Sequence, residues 1–101
     1  GNVLSLLARQ STLVSTTTKT IITAANTGGS CIVIVNGNVG GAKVFSELVL
    51  YGYYNAPVVI GTSVSGSPDA RTYTNTTTAL HLSMAAGTYS IHATLLGGGS
   101  Y

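Results

Sequence analysis

The chain has 101 residues, and only six of them carry a charge, which is 6% of the sequence where a typical soluble domain has about 25%. A chain of this length forms one domain, and its 45% hydrophobic content is too high for a disordered protein. Its four basic residues are dispersed, so they do not make the positive patch that nucleic-acid binding requires. No apolar run approaches the roughly 20 residues of a membrane-spanning helix. We therefore expect neither a nucleic-acid partner nor membrane insertion.

Thr, Val, Ile and Tyr occur in short runs along the chain, and these residues fit β-strands better than helices. Gly, Asn, Pro and Ser separate the runs at intervals of roughly 8–12 residues, a spacing typical of a sandwich or barrel. Most connections are short, so antiparallel pairing is favoured. The predicted strands, of which the first two can form one bent strand, lie at residues 12–18, 19–25, 30–36, 42–52, 57–64, 71–75, 79–84 and 88–96. The sequence therefore predicts an all-β fold, a single antiparallel β-sandwich of about eight strands that is jelly-roll-like.

The two ends of the chain differ from this pattern. Residues 3–9, with the sequence VLSLLAR, are the one stretch with helical character. We interpret residues 1–10 as an N-terminal tail, a short helix or the remnant of a stalk. The β-sandwich domain is then expected at residues 11–96, and residues 97–101, which begin with three glycines, as a flexible C-terminal tail.

Alternation along the predicted strands assigns their side chains to faces. In the strand at 79–84 the even-numbered apolar residues share a face, and in the strand at 88–96 the odd-numbered ones do. The strand at 42–52 has two apolar sets, and we take Ala42, Val44, Leu48 and Leu50 as the core face. The opposite set (Lys43, Phe45, Glu47, Val49 and Tyr51) is too apolar for solvent. It predicts contact with a larger assembly or a partner.

Charged groups offer little for catalysis. Glu47 and Asp69 are the two carboxylates of the chain, one in a predicted strand and the other in a turn, and nothing in the sequence makes them converge. We expect Glu47 to lie near Lys43 or Lys19 on a strand face. No serine sits in a nucleophile-elbow pattern. The sequence therefore predicts a protein that is not an enzyme.

Metal and cofactor sites are not indicated either. His81 and His92 lie on consecutive predicted strands, opposite the apolar sets, and two imidazoles without a third ligand make a weak metal site. They are the weak metal candidates of this chain, for instance as a ring of histidines where three chains meet. Cys31 lies in an apolar run and is expected to be a small buried hydrophobe. We predict no cofactor and no metal.

The most suggestive candidate for a binding site is the segment Tyr51-Gly52-Tyr53-Tyr54-Asn55. Tyrosine rings at the end of a strand can stack on sugars or pack against protein, and Asn55 adds neutral hydrogen-bonding groups. With so few charges in the chain, a ligand is expected to be held by stacking and neutral hydrogen bonds. The predicted ligand-binding residues are Tyr51, Tyr53, Tyr54 and Asn55.

Several segments together carry a family resemblance: residues 15–20 (STTTKT), 30–37 (SCIVIVNG), 45–51 (FSELVLY), 57–60 (PVVI), 66–68 (GSP), 70–73 (ARTY) and 86–91 (AGTYSI). With these segments, residues from about 11 to 96 resemble small β-sandwich domains of tailed-phage virion proteins, chiefly tail fibres and tailspikes. The resemblance implies a virion location, a homo-oligomer that is typically a trimer, and a role at a fibre tip. It carries over no catalytic residue.

The resemblance and the composition together predict a phage tail-fibre or tailspike module that trimerises and binds a bacterial surface receptor. A glycan is the expected receptor, with a protein as the other possibility. Two alternatives stay open at this point. One is a structural virion component, such as a capsid, head-fibre or decoration protein, and the other is a carbohydrate-binding module of a secreted enzyme.

Overall fold

The computed structural model describes residues 5–23, 30–52, 56–76 and 79–97. These residues form eight β-strands and two antiparallel sheets, a five-stranded sheet of order β1-β8-β3-β4-β5 and a three-stranded sheet of order β2-β7-β6. The prediction of an all-β antiparallel sandwich is confirmed. This described part holds no helix long and apolar enough to cross a membrane. The strands are β1 (Ser5–Val14), β2 (Lys19–Thr23), β3 (Ser30–Val39), β4 (Lys43–Gly52), β5 (Val58–Ser65), β6 (Arg71–Asn75), β7 (Ala79–Met84) and β8 (Tyr89–Gly97).

The first strand begins where a tail, helix or stalk was predicted. Residues 5–10 belong to β1, whose antiparallel register with β8 runs from Ser5 opposite Gly97 to Val14 opposite Tyr89. Residues 5–10 adopt strand conformation because β8 supplies backbone hydrogen-bond partners along this stretch, whereas a short isolated helix is marginally stable in water. The helical interpretation of residues 5–9 is therefore wrong.

Strands alternate between the two sheets at both ends of the chain. The first strand pairs with the eighth in one sheet, and the second pairs with the seventh in the other, as in a jelly roll. It follows that β1 and β2 are not one bent strand. It also follows that Ala86 and Gly87, between β7 and β8, lie in a crossover from one sheet to the other. By contrast, β3, β4 and β5 are hydrogen-bonded neighbours in chain order within the large sheet.

The core lies between the sheets. The single thiol of Cys31 is 1% exposed, which confirms its prediction as a buried hydrophobe. A register shift in β2 between Thr20 and Ile22 lets two consecutive residues, Ile21 and Ile22, both be buried, as a β-bulge allows. The buried hydrophobic cluster comprises Val14, Ile21, Ile22, Cys31, Val33, Val35, Phe45, Val49, Tyr51, Leu80, Leu82, Met84, Tyr89, Ile91, Ala93 and Leu95.

The two faces of β4 are the reverse of those predicted. Phe45, Val49 and Tyr51 are at most 2% exposed, whereas Leu48 and Leu50 are 41% and 39% exposed. The odd-numbered residues face the core because they include both aromatic residues of the strand, Phe45 and Tyr51. Aromatic rings bury more apolar surface than leucine side chains. The apolar surface that needs a cover therefore lies on the opposite face of β4.

Candidate functional site

Tyr51, one of the four predicted ligand-binding residues, is buried in the structure. Tyr51 has no exposed surface, and its hydroxyl donates a hydrogen bond to the carbonyl oxygen of Thr76 at 3.1 Å. A ring enclosed in this way cannot stack on a ligand, so the prediction for Tyr51 is wrong. Tyr53, Tyr54 and Asn55 lie outside the described residues.

The two histidines belong to different sheets. His81 lies on β7, with its Nδ1 atom 3.0 Å from the hydroxyl of Thr20, and His92 lies on β8, with its Nδ1 atom 2.8 Å from the hydroxyl of Ser11. Each imidazole is thus paired with a hydroxyl of the neighbouring strand. Within the described ranges, no group of three or more His, Cys, Asp or Glu side chains is placed to hold a metal ion.

Four hydrogen bonds converge on the carboxylate of Glu47, which is 4% exposed on β4. Arg71 of β6 donates to both of its oxygens, from Nε at 3.0 Å and from a terminal nitrogen at 2.9 Å. The hydroxyls of Tyr73 and Thr62 donate to it at 2.5 and 2.9 Å. The prediction of Lys43 or Lys19 as the neighbour of Glu47 is wrong. Its salt-bridge partner is Arg71.

A second carboxylate is tied to the same arginine through the backbone. The remaining terminal nitrogen of Arg71 donates to the carbonyl oxygen of Asp69 at 2.9 Å. The side chain of Asp69 accepts a hydrogen bond from the hydroxyl of Tyr89 at 2.7 Å and lies 3.6 Å from the ammonium of Lys43. Four of the six charged residues of the chain are therefore joined in one network, which we call the charge cluster (Lys43, Glu47, Asp69 and Arg71).

The aromatic ring of Phe45 packs against the charge cluster. The guanidinium carbon of Arg71 lies 4.6 Å from the centre of the Phe45 ring, within the range of a cation–π contact. Gly37 sits opposite Phe45 in the β3–β4 register, and a Cβ at that position would overlap the Phe45 ring and Ile91. The Phe45 ring therefore packs against the backbone of Gly37 and also contacts the guanidinium of Arg71. In this way β6 of the small sheet is fastened to β4 of the large one.

The charge cluster favours the ionised forms of its two carboxylates. Burial alone would raise the pKa of Glu47, but hydrogen bonds from Arg71, Tyr73 and Thr62 outweigh it, so this pKa lies below its ordinary value. The hydrogen bond from Tyr89, against some loss of hydration, lowers the pKa of Asp69, and Lys43 adds to the effect. Burial and the adjacent carboxylate raise the pKa of Tyr73, which keeps its hydroxyl a donor. This saturated arrangement stabilises the fold and leaves no lone pair of Glu47 directed at a ligand.

Acid is therefore expected to unfold the protein through these two carboxylates. A carboxylate whose pKa is lowered in the folded state stabilises the fold fully above its unfolded pKa, near 4, and loses this contribution as the pH falls through the folded value. We expect a free energy of unfolding that is nearly constant from about pH 5 to 8 and decreases steadily below about pH 4. Urea unfolding followed by circular dichroism between pH 2 and pH 8 measures this profile.

Glu47→Gln is the matched control for the pH profile, because it keeps the shape of the side chain and removes its titration. The decrease in its free energy of unfolding at low pH should be clearly smaller than the decrease for the parent protein. A steep loss of stability between pH 7 and pH 5 would contradict the prediction, because carboxylates whose pKa values are lowered stay ionised throughout that range.

The outer face of the large sheet presents polar side chains in a row across its strands. His92 lies opposite Ser11 on one side and Asn36 on the other, and Asn36 lies opposite Ser46. The Ser46 hydroxyl donates to the side-chain oxygen of Asn36 at 2.5 Å. We call these four exposed residues the polar row. Its hydroxyl, amide and imidazole groups are able to bind uncharged, hydroxyl-rich molecules.

Comparison with known proteins gives a likeness of fold. No protein-family model matches this chain, and neither does any curated protein. The crystal structure of the Acinetobacter phage vB_ApiP_P1 tailspike protein is similar to it, with a TM-score of 0.54 and 16% sequence identity. The likeness covers 89% of this chain and 21% of the tailspike chain, so this chain spans about a fifth of that protein's length. What the two chains share at this identity is the fold.

Proposed function

We propose that this chain is a non-enzymatic module of a phage tail fibre or tailspike, that it forms a trimer, and that it binds a glycan on the bacterial surface. The observation that carries the proposal is the fold, which is similar over 89% of the chain to part of a phage tailspike. The sequence resemblance to tail-fibre and tailspike sandwiches points the same way. A module of this kind is located in the virion.

The distribution of charge supports a neutral ligand. The charge cluster pairs four of the six charged residues with one another, and the two others, Arg9 and Lys19, are exposed on β1 and β2. Two separate cations cannot hold a polyanion strongly. Recognition then depends on stacking and on neutral hydrogen bonds, which are the interactions that sugars offer to proteins.

The residues proposed to contact the glycan are Tyr53, Tyr54 and Asn55. In the sequence they directly follow Gly52, the last residue of β4. Two successive tyrosines offer flat amphipathic rings with little side-chain entropy to lose on binding. Tyr51 has no part in this proposal, because it belongs to the core.

Binding to bacterial cells tests the proposed function. Fluorescently labelled protein is mixed with a panel of bacterial strains that differ in their surface polysaccharide, and bound fluorescence is measured by flow cytometry. We expect binding to one or a few strains, and we expect Tyr53→Ala/Tyr54→Ala to reduce it at least tenfold. The variant should keep the light-scattering mass and circular dichroism spectrum of the parent.

The matched control is Asn36→Ala/His92→Ala, which changes two exposed residues of the polar row. This variant should bind as the parent does. If it loses binding while the tyrosine variant keeps it, the ligand site lies on the polar row. Treatment of the cells with periodate, which destroys sugars, should remove binding, and binding that survives periodate would contradict a glycan receptor.

A further inference from the structure

The strand β5 is exposed along its whole length. Seven of its eight residues are exposed and Gly61 is half-buried. It forms one edge of the large sheet, and β4 is its one hydrogen-bonded neighbour among the described strands. An edge strand of this kind offers its backbone N–H and C=O groups to another chain unless charges, proline or a cover protect it. Between Val58 and Ser65 there is no charged residue and no proline.

Exposed apolar side chains are concentrated at this edge. Eight large hydrophobic residues of the described part are exposed, and six of them lie on β5 or next to it on β4. We call these six the β5 apolar surface: Leu48 (41% exposed), Leu50 (39%), Val58 (53%), Val59 (42%), Ile60 (51%) and Val64 (54%).

The β5 apolar surface is open on both faces of the sheet. On the outer face, Leu50 lies opposite Val58. On the inner face, Val59 and Val64 lie opposite the core residues Val49 and Phe45, and they stay exposed because a three-stranded sheet does not reach across a five-stranded one. The register also shifts at Ile60, which has no partner residue on β4. Two faces and one edge of β5 therefore lack a cover within the described chain.

The size and composition of this surface fit a protein interface. Six aliphatic side chains exposed by two fifths to a half present on the order of 500 Å² of apolar area, the size at which patches on monomers are usually functional. A standard interface buries about 800 Å² per partner, with an apolar centre and a polar rim. The hydroxyls of Ser63, Ser65 and Ser46 and the open strand edge supply such a rim.

The chemistry of the surface indicates which partner covers it. It holds no aromatic ring on which a sugar could stack and no cation for an acidic partner or an anionic membrane. A surface of this composition packs best against another uncharged aliphatic strand. The β5 apolar surface of a second copy of the chain has that composition. We propose that copies of this chain associate through their β5 apolar surfaces. This inference rests on the proposed trimer, in which the three β5 strands would surround the threefold axis.

Light scattering on three proteins tests the interface. The parent is expected to have three times the chain mass of 10.2 kDa at micromolar concentration. Val58→Lys/Ile60→Lys places two charges in the surface and should give a monomer with the circular dichroism spectrum of the parent. Leu13→Lys/Val39→Lys adds the same charge at the two large exposed hydrophobic residues of the described ranges that lie outside the surface, and it should keep the mass of the parent.

The outcomes separate the interface from the oligomeric state. A trimeric parent whose Val58→Lys/Ile60→Lys variant stays trimeric overturns the interface and leaves the trimer standing. A dimeric parent that this variant dissociates supports the interface and contradicts the trimer. A monomeric parent overturns both, while the receptor proposal keeps its own test in cell binding.

A cross-linking experiment covers the case in which the lysine variant does not fold. Ser63→Cys places a thiol on the exposed part of β5, and the native Cys31 is buried. A short bis-maleimide should join copies of this variant through position 63. Thr72→Cys, which places a thiol at an exposed position on β6, should stay largely uncross-linked. Equal cross-linking of the two variants would overturn the proposal.

Discussion

Replacement of Arg71 by methionine is expected to lower the free energy of unfolding by about 3 kcal/mol, because breaking one side of a buried ion pair leaves the other charge without its counterion. Glu47 is 4% exposed and its partner side chain 13% exposed, so solvent cannot replace the lost guanidinium. Methionine keeps most of the apolar contact with Phe45. Urea unfolding at pH 7, at one protein concentration for all variants, measures the loss.

Two further variants show whether burial causes the effect. Lys43→Met removes the other ion pair of the charge cluster, whose lysine is 44% exposed, and should change stability far less. Glu47→Gln in the Arg71→Met background removes the stranded charge and should recover a part of the lost stability. Equal losses in Arg71→Met and Lys43→Met would show that the buried position of Glu47 is not the cause.

Alanine at position 66 is expected to lower the free energy of unfolding by about 3 kcal/mol or more, through backbone strain and overpacking together. Gly66 has a φ of +76°, and a Cβ there would overlap the carbonyl oxygen of Ala42 in the turn before β4. That oxygen belongs to the backbone, so it cannot move aside as a flexible side chain would. The same unfolding measurement gives the size of the loss.

The chain contains a matched control for this substitution. Gly41 has a φ of +81°, and a Cβ there meets nothing within 4 Å. Gly41→Ala therefore reports the cost of the left-handed backbone alone, about 1–2 kcal/mol. The difference between the two variants isolates the overlap with Ala42. If they lose the same stability, the contact with Ala42 is not tight in solution.

Local patterns were sufficient to predict most of the strands. Turn residues and β-branched runs placed β6 and β7 at the bounds found in the structure. The N-terminal strand was missed because its conformation depends on β8, more than 80 residues away in the sequence. The end of β3 was missed for a similar reason, since the Asn36-Gly37 pair resembles a turn but is held in the strand by β4 and by β8.

The candidate site was harder to predict, because the faces of β4 depend on a distant residue. Both faces of this strand are apolar, and a charged residue such as Glu47 ordinarily marks the solvent face. Here Arg71, 24 residues further along the chain, neutralises it in the interior. The available signal was the alternation itself: a carboxylate in register with Phe45, Val49 and Tyr51 requires a buried cation, and arginine is the usual choice.

The position of β8 determines when the large sheet can form. This strand lies between β1 and β3, so β1 gains its hydrogen-bonded neighbour only when β8 is present. The β3–β4–β5 unit, joined in chain order, can pair earlier. Contacts between strands that are far apart in the sequence slow folding, and sandwiches of this kind typically fold in about milliseconds to seconds. During synthesis on the ribosome, closure of the large sheet must therefore wait until β8 has emerged, and until then β1 and the open side of β3 are available for misfolding.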